Sequence, residues 1–483
     1  MTIILNNNTY KYETEATVKL FIPAVRFEFL SDERNSDGDI IMTRIKHCRK
    51  NVYYYAYIRE NGRVMRSSCT TPAESFDEKD GEFIICRLLF LLLCRFYNTK
   101  PQWGLLTGIR PVRKINVMLE NGMNEKQVRA EFTGKYFVSE KKTDIAWRTA
   151  MVQHPLLPEF DKKTVSIYIS IPFCPTRCSY CSFVSHSMDS AYKLIPDYLD
   201  YLCKELEILG EIVNEYGLKI DTVYYGGGTP TSISADELGK IMRKTAECFD
   251  LSQVREYNVE AGRADTITEE KLAVIKKMGA TRISVNPQTL NNDVLRVIGR
   301  KGTAEEVLEA FALARKLGFD NINMDLIAGL PTDTFESFRD TLDRIIALDP
   351  DGITVHALTL KRSAGLYQTG HENISNPATR MADYAVRELI AHGYDPYYMY
   401  RQKNTIDGLE NIGYAKPGKG SLYNIFIMDE TQTILGAGCA ASTKLVDVNN
   451  SISRVMNYKF PYEYIRRFDE LMKKKDEIRN FFE

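Results

Sequence analysis

The sequence predicts an α/β protein: a partial (β/α)6 barrel over residues 164–365, an α+β domain ahead of it over 1–150, and a mixed α/β domain after it over 366–483. Three observations carry this. From Thr164 onward, short β-branched runs alternate with amphipathic stretches, the pattern of parallel strands joined by crossover helices. Ser234-x-x-Glu237 and Thr303-x-x-Glu306 have the reciprocal capping pattern that starts a helix, in places where the alternation requires one. At 483 residues the chain also exceeds what one hydrophobic core usually supports, so two or three folded units are expected.

In the first 145 residues, strand-like runs at 17–29 and 52–58 alternate with helical stretches at 83–97 and 125–132. The segment His154-Pro-Leu-Leu-Pro158 discourages helix continuation, which puts a linker and a boundary between residues 150 and 163. Six strands follow, at 165–171, 222–225, 257–260, 282–286, 321–327 and 353–359. Between the first two, Ile195, Tyr198, Leu202, Leu206, Leu209 and Val213 recur at helical spacing and form a core stripe. Six units rather than eight imply an open barrel, with its active site at the strands' C-terminal ends. The last hundred or so residues, rich in Tyr and holding Gly413, Gly418, Gly436 and Gly438, lose the alternation.

Composition excludes several classes. Lys plus Arg (63) nearly cancels Asp plus Glu (64), so no global field draws the chain to nucleic acid or an anionic membrane, and neither is expected as a partner. An anionic ligand must be met by local basic residues. The opening residues lack a basic start and apolar run, so a cytoplasmic location is expected. The apolar stretch at 84–97 is too short to span a bilayer and carries Arg87 and Arg95. Ten cysteines without a secretory signal point to reduced thiols or metal ligands rather than disulfides.

Three of those cysteines stand together. Cys174-Pro-Thr-Arg-Cys178-Ser-Tyr-Cys181 directly follows the first barrel strand, and thiolates this close suit zinc or an iron–sulfur cluster. Structural zinc wants a fourth ligand; position 183 is Phe, and His186 is only loosely placed. Three thiolates on a cluster leave one iron open to a cosubstrate.

The run from Tyr168 through Ile-Pro-Phe to Cys174-x-x-x-Cys178-x-Tyr-Cys181-x-Phe183 resembles the signature of the radical S-adenosylmethionine (SAM) superfamily, and within it the coproporphyrinogen III oxidase-like branch. Trp103-Gly-Leu-Leu-Thr-Gly-Ile-Arg110-Pro111 and Tyr400-Arg401-Gln402-Lys403-Asn404 resemble segments of the HemZ-type subgroup. The resemblance implies a [4Fe–4S] cluster on Cys174, Cys178 and Cys181. SAM would bind its open iron and break, on taking one electron, to a 5′-deoxyadenosyl radical. It also implies an electron donor such as flavodoxin or ferredoxin.

Gly226-Gly227-Gly228-Thr229-Pro230-Thr231 ends the second strand, where missing side chains let backbone approach a ligand. Glu260, Gln288 and Asp325 put polar groups at strand ends where a barrel core prefers aliphatic ones, and Arg300, twelve residues after Gln288, offers a bidentate fork to a carboxylate. The resemblance assigns all four to SAM. It implies two SAM molecules in decarboxylases of the family: Tyr168, Gly227 and Glu260 would serve the first, and Tyr180, Gly228, Thr229, Gln288, Arg300 and Asp325 the second. The implied reaction converts two propionates of coproporphyrinogen III to vinyls, giving protoporphyrinogen IX. Lys361, Arg362 and Arg263 are candidate partners of the anionic tetrapyrrole.

Phe183 replaces a fourth cysteine of the decarboxylases, and Ser170 stands where they have His. Three readings stay open: the decarboxylase, a haem-binding chaperone with His356 as candidate ligand, and an anaerobic haem-modifying radical methylase. Cys439, in a small-residue loop, is compatible with ligand approach or with tight packing.

Overall fold

The structure is a computed structural model; it describes residues 1–483 except 24, 32–37, 182–185, 360–376, 403–404 and 450. The chain forms two compact units, Met1–Trp147 and Arg148–Glu483.

The first unit is a five-stranded sheet with helices on one face. Its strands are β1 (Thr2–Asn6), β2 (Glu28–Leu30), β3 (Ile40–His47), β4 (Asn51–Glu60) and β5 (Arg63–Pro72), in the order β2-β1-β3-β4-β5. Ile41, Ile45, Val52, Tyr54, Ala56 and Ile58 alternate onto the inner face and pack against the helix Glu78–Tyr97. That helix is the apolar stretch noted above; Asp77 caps it by accepting from Lys79 N, and it buries Ile85, Leu89 and Leu93. No described helix is long and apolar enough to cross a membrane. Residues 17–29 correct the expectation of a strand. Thr14, Thr17 and Val18 form the buried face of a helix, Lys11–Lys19, and the strand described in this stretch is the short Glu28–Leu30. Tertiary packing overrides the β-branched propensity here, and the Thr17 hydroxyl is satisfied within the helix by donating to Glu13 O at 2.9 Å.

In the second unit, β6 (Thr164–Ile171) leads into the short β7 (Phe173–Cys174) and its parallel partner β8 (His186–Ser187). The parallel run continues with β9 (Lys219–Gly227), β10 (Glu256–Gly262), β11 (Arg282–Val285), β12 (Ile322–Ala328) and β13 (Gly352–Ala357). These lie side by side as β13-β12-β11-β10-β9-β6, the six strands read from the sequence. Helices Ile195–Glu215, Ala235–Cys248, Glu269–Lys277, Ala304–Lys316 and Phe335–Ala347 lie between them in sequence, and both predicted capping boxes are formed, at Ser234/Glu237 and Thr303/Glu306.

The barrel run is open, and later strands extend it at both edges. β14 (Asp395–Arg401) and β15 (Glu410–Ala415) continue past β13, while β16 (Thr433–Ala437), β17 (Ser442–Val446) and β18 (Ile452–Met456) continue past β6, making eleven strands in one sheet. Described strands from the 366–483 segment thus share a sheet with the barrel. Glu205, on the first crossover helix, pairs with Lys475 at 2.6 Å, both fully buried, and accepts from Gly438 N, Asn457 Nδ2 and the Tyr464 hydroxyl. Such a pair is tolerated in a core because its remaining lone pairs are occupied.

Candidate functional site

A cavity of about 380 Å³ opens at the C-terminal ends of the parallel strands, and every residue assigned above to the cluster or to SAM except Tyr168 lines it. The cysteine loop leaves β7 and turns back at Cys181, whose N–H donates to Cys178 O at 3.1 Å. It is tied to the segment after the helix Asn292–Val297: Ser179 N donates to Ile298 O at 3.0 Å, and the Thr176 hydroxyl to Gly299 O at 3.0 Å. Cys174 Sγ lies 3.5 Å from the Thr229 hydroxyl, and Arg263 Nη1 lies 3.8 Å from Cys178 Sγ, so cationic and hydroxyl groups face the thiols as thiolates require. Arg263 is 3 % exposed and held by Asp265 at 2.7 Å and by Thr176 O, which makes it a brace of the cysteine loop rather than a surface cation. Among the described residues no group of three or more His, Cys, Asp or Glu side chains is placed to hold a single metal ion. A cluster spaces its ligands more widely, one thiolate to each iron.

The glycine run makes the second wall. Gly227 has φ +110°, and a Cβ there would meet Ser170 Oγ at 2.7 Å; at Gly228 it would meet Phe173 O at 2.5 Å. The glycine run can approach β6 and the start of β7, from which the cysteine loop leaves, this closely only without side chains.

Glu260 sits at a register shift in the β10–β11 pairing, which resumes at Gly262 opposite Val285. The Tyr224 hydroxyl donates to it. Burial pushes its carboxyl up to about 7, and the neighbouring Asp325 adds to this, against the Tyr224 hydrogen bond and the His356 imidazole. Asp325 behaves oppositely: burial raises it, but contacts from His356, 3.7 Å away, from Asn323 and from Thr354 together hold it below its ordinary value. Gln288 has φ +65°, a conformation unusual for a side-chain-bearing residue; its backbone is clamped between Asp325 O and Ile327 N at 2.9 and 3.0 Å. Arg300 donates to Asn286 O at 2.5 Å and to the Tyr180 hydroxyl at 3.4 Å.

Tyr168 stands behind this wall. Its ring stacks on Tyr224 and Tyr423 at 6.1 and 6.2 Å, and those two stack at 4.4 Å, so Tyr168 supports Tyr224, which itself lines the cavity. Sequence reasoning missed Tyr224 and a deeper polar layer, Asn258, Ser284 and Asn323. The available signal was period two: Asn258 and Asn323 precede Glu260 and Asp325 by two residues and so share their face. Lys361, Arg362, Phe183, Lys403 and Asn404 lie outside the described residues. Cys439 is buried, and its thiol donates to Lys459 O at 2.8 Å, which is packing.

Asn258 Oδ1, Ser284 Oγ, Gln288 Oε1 and Arg300 Nε line the cavity, buried and without a hydrogen-bond partner. Groups of both polarities left unmet around one cavity call for a polar ligand with several donors and acceptors. SAM, with amino, carboxylate and hydroxyl groups, fits that demand, and the thiols at the rim fit a cluster.

Residues 168–345 match the model of the Radical SAM superfamily. The chain is 42% identical over 419 residues to the oxygen-independent coproporphyrinogen-III oxidase-like protein HemZ of Bacillus subtilis (strain 168), covering 85% of this chain and 83% of that one. It is 31% identical over 313 residues to the heme chaperone HemW of the same organism, covering 62% and 77%. Among solved structures, coproporphyrinogen III oxidase (HemN) from Escherichia coli, a radical SAM enzyme, has the same fold, with a TM-score of 0.52 at 24% identity over 68% of this chain and 73% of that one.

Proposed function

We propose that this chain, which belongs to the radical SAM superfamily and within it to the oxygen-independent coproporphyrinogen-III oxidase-like group of HemZ, oxidatively decarboxylates two propionates of coproporphyrinogen III to vinyl groups. Its family works with a [4Fe–4S] cluster and SAM. The observation that carries the reading is the gathering of Cys174, Cys178, Cys181, Glu260, Gln288, Arg300 and Asp325 around one cavity whose buried polar atoms lack partners.

When bound, the cluster and SAM supply a carbon-centred oxidant able to take hydrogen from an unactivated carbon. The chain's own residues bind and orient. Cys174, Cys178 and Cys181 hold the cluster. Glu260 accepts from an amino group, Gln288 and Asp325 meet ribose hydroxyls, and Arg300 forks onto a carboxylate. Gly227, Gly228 and Thr229 let the backbone approach the methionine portion, and Tyr180 and Tyr224 close the walls. Each propionate loses a hydrogen atom from its β-carbon to the carbon-centred oxidant, then carbon dioxide and one electron, the electron passing to an external one-electron acceptor, which leaves the vinyl group.

Kinship to HemW supports a second reading, a haem carrier, for which His356 in the cavity is the candidate ligand. Its imidazole Nε2 faces the Asp325 carboxylate at 3.7 Å, an arrangement that leaves Nδ1 as the nitrogen for iron with the carboxylate behind it. The test is anaerobic reconstitution with reductant, SAM and coproporphyrinogen III, following 5′-deoxyadenosine and porphyrin masses together, with Cys178→Ser as control. A divinyl product alongside 5′-deoxyadenosine is expected. Stoichiometric haem binding without turnover supports the carrier instead, and a product heavier than its substrate supports a methylase.

A further inference from the structure

The cavity has two sides, and the decarboxylase reading so far gives an occupant to one. The residues assigned to the cluster and to SAM stand on the cysteine loop, on β9, β10 and β12, and on the segment after β11 that holds Gln288 and Arg300. The other side is built by β13, β15 and β14, where Tyr398, Tyr400 and Asn411 of the C-terminal segment line the same cavity. Tyr400 and Gln402 come from the run singled out in the sequence, and SAM binding gives that run no role.

Register sets these side chains in one row. Ile327 on β12 is opposite His356 on β13, and Asn411 on β15 is opposite Tyr400 on β14. Val355 is opposite Ile412, so the next pair outward brings His356 beside Asn411. One side-chain level deeper, Tyr398 is opposite Gly413, where a Cβ would collide with the Tyr398 ring; the missing side chain makes room for it. Tyr398 and Tyr400 stack at 6.2 Å with their planes 10° apart.

Asn411 is 2% exposed, and its Oδ1 accepts from Ala357 N at 2.9 Å. A backbone N–H can only donate, so this contact fixes which amide atom is which. Nδ2 is left buried and, among the described residues, without a hydrogen-bond partner. A group that can only donate is best matched by one that can only accept, and an ionised carboxylate is such a group. In the reading above the carboxylate of SAM is met by Arg300, so the donor on this side calls for a carboxylate from a second molecule. Asp325 does not supply it: β13 lies between its strand and β15, and its carboxylate accepts from Asn323 at 2.7 Å and faces His356 at 3.7 Å.

We propose that Asn411, with the Tyr398 and Tyr400 rings beside it, forms the substrate's side of the cavity and takes a pyrrole ring by its carboxylate arm. This rests on the decarboxylase reading and deepens it: the arm is a propionate of the tetrapyrrole, held across the cavity from the residues that hold SAM.

The probes are coproporphyrin III, the stable aromatic form of the substrate, and its methyl ester, in which every carboxylate is masked. Binding is read by fluorescence on the full chain with its cluster reconstituted. Asn411→Asp keeps an oxygen for Ala357 N and turns the donor into an acceptor. Asn411→Leu removes the donor without adding charge and covers the case in which a buried carboxylate impairs folding. Kd for coproporphyrin III is expected to rise about tenfold or more in Asn411→Asp and about threefold or more in Asn411→Leu. The ester should bind parent and variants within about twofold, and SAM affinity by calorimetry should be unchanged. Coproporphyrin affinity within about twofold of the parent in both variants would overturn the proposal. So would a matching loss of SAM affinity, which would put Asn411 in the SAM site, or an equal loss with the ester, which would reduce its role to shape. A parent that binds no coproporphyrin overturns the subsite and the decarboxylase reading together. Carboxylate-dependent binding through Asn411 without any divinyl product sinks the decarboxylase reading and leaves the subsite standing.

Discussion

Glu256 and Glu260 stand four residues apart on β10 and are served in opposite ways. Glu256, at the N-terminal end, is 5 % exposed and accepts from the Ser421 hydroxyl at 2.8 Å, Leu422 N at 2.7 Å and Tyr423 N at 3.3 Å. The chain satisfies it, and in doing so fastens the helix Leu422–Asp429 to the barrel floor. Arg282 beside it is 1 % exposed and likewise engaged, donating to Asn321 Oδ1 at 2.7 Å and Lys419 O at 2.5 Å. Glu260, at the other end, lines the same cavity as Asn258, Ser284, Gln288 and Arg300, each with a buried polar atom unmet. Burial raises both carboxyls, but the floor offers three donors to its glutamate and the mouth offers Tyr224. A buried carboxylate the protein satisfies is structure; one left short is a site.

The comparison can be broken from either end. The largest effect is expected at the mouth: Cys178→Ser should abolish the cluster's visible absorbance and SAM cleavage while leaving the far-ultraviolet dichroism of the fold intact. On the floor, Glu256→Ala leaves three donors and the Arg282 charge unmatched and should cost about 3–5 kcal/mol in chemical denaturation. Its SAM affinity should be unchanged among molecules that remain folded. Glu260→Gln should reverse that balance, with stability within about 1 kcal/mol of the parent and SAM affinity lowered about tenfold or more by calorimetry, since the lost partner is external. If Glu260→Gln destabilises as much as Glu256→Ala, the distinction between floor and mouth falls.

The smallest effect is in pH. The Glu260 carboxyl lies at about 7 in the folded protein against an ordinary 4.5, so folding favours its protonated form. The ligand-free protein should therefore lose stability as pH rises from about 4.5 to about 7, by about 1–3 kcal/mol, and change little from this group above that. Thermal melts of Glu260→Gln should lack this component. Binding of an ammonium-bearing ligand should release a proton below about pH 7 and none well above it, which calorimetry in buffers of different ionisation enthalpy reads directly.

Much of the site was legible because its chemistry is written in short motifs. Cys174, Cys178 and Cys181 are close in sequence and must be close in space, and Glu260, Gln288 and Asp325 are polar where aliphatic residues belong. Tyr224 and Asn258 escaped because a polar residue inside a strand does not announce which face it takes until register is set. The helix Lys11–Lys19 escaped because Thr17 and Val18 favour strand locally, and packing decided otherwise.

By itself the sequence determined the alternation of strands and helices, the capping boxes and the residues of the cluster loop, all of which depend on neighbours within a few positions. Only the tertiary structure decided that strands on either side of the barrel run would extend it into one eleven-stranded sheet, that Glu205 would meet Lys475 across the core, and that Glu256 would meet three donors from a remote segment while Glu260 met the Tyr224 hydroxyl. Each of these pairs groups remote in the chain. Their partners are chosen by burial and by the need of every buried polar group for a hydrogen bond, which no local pattern encodes.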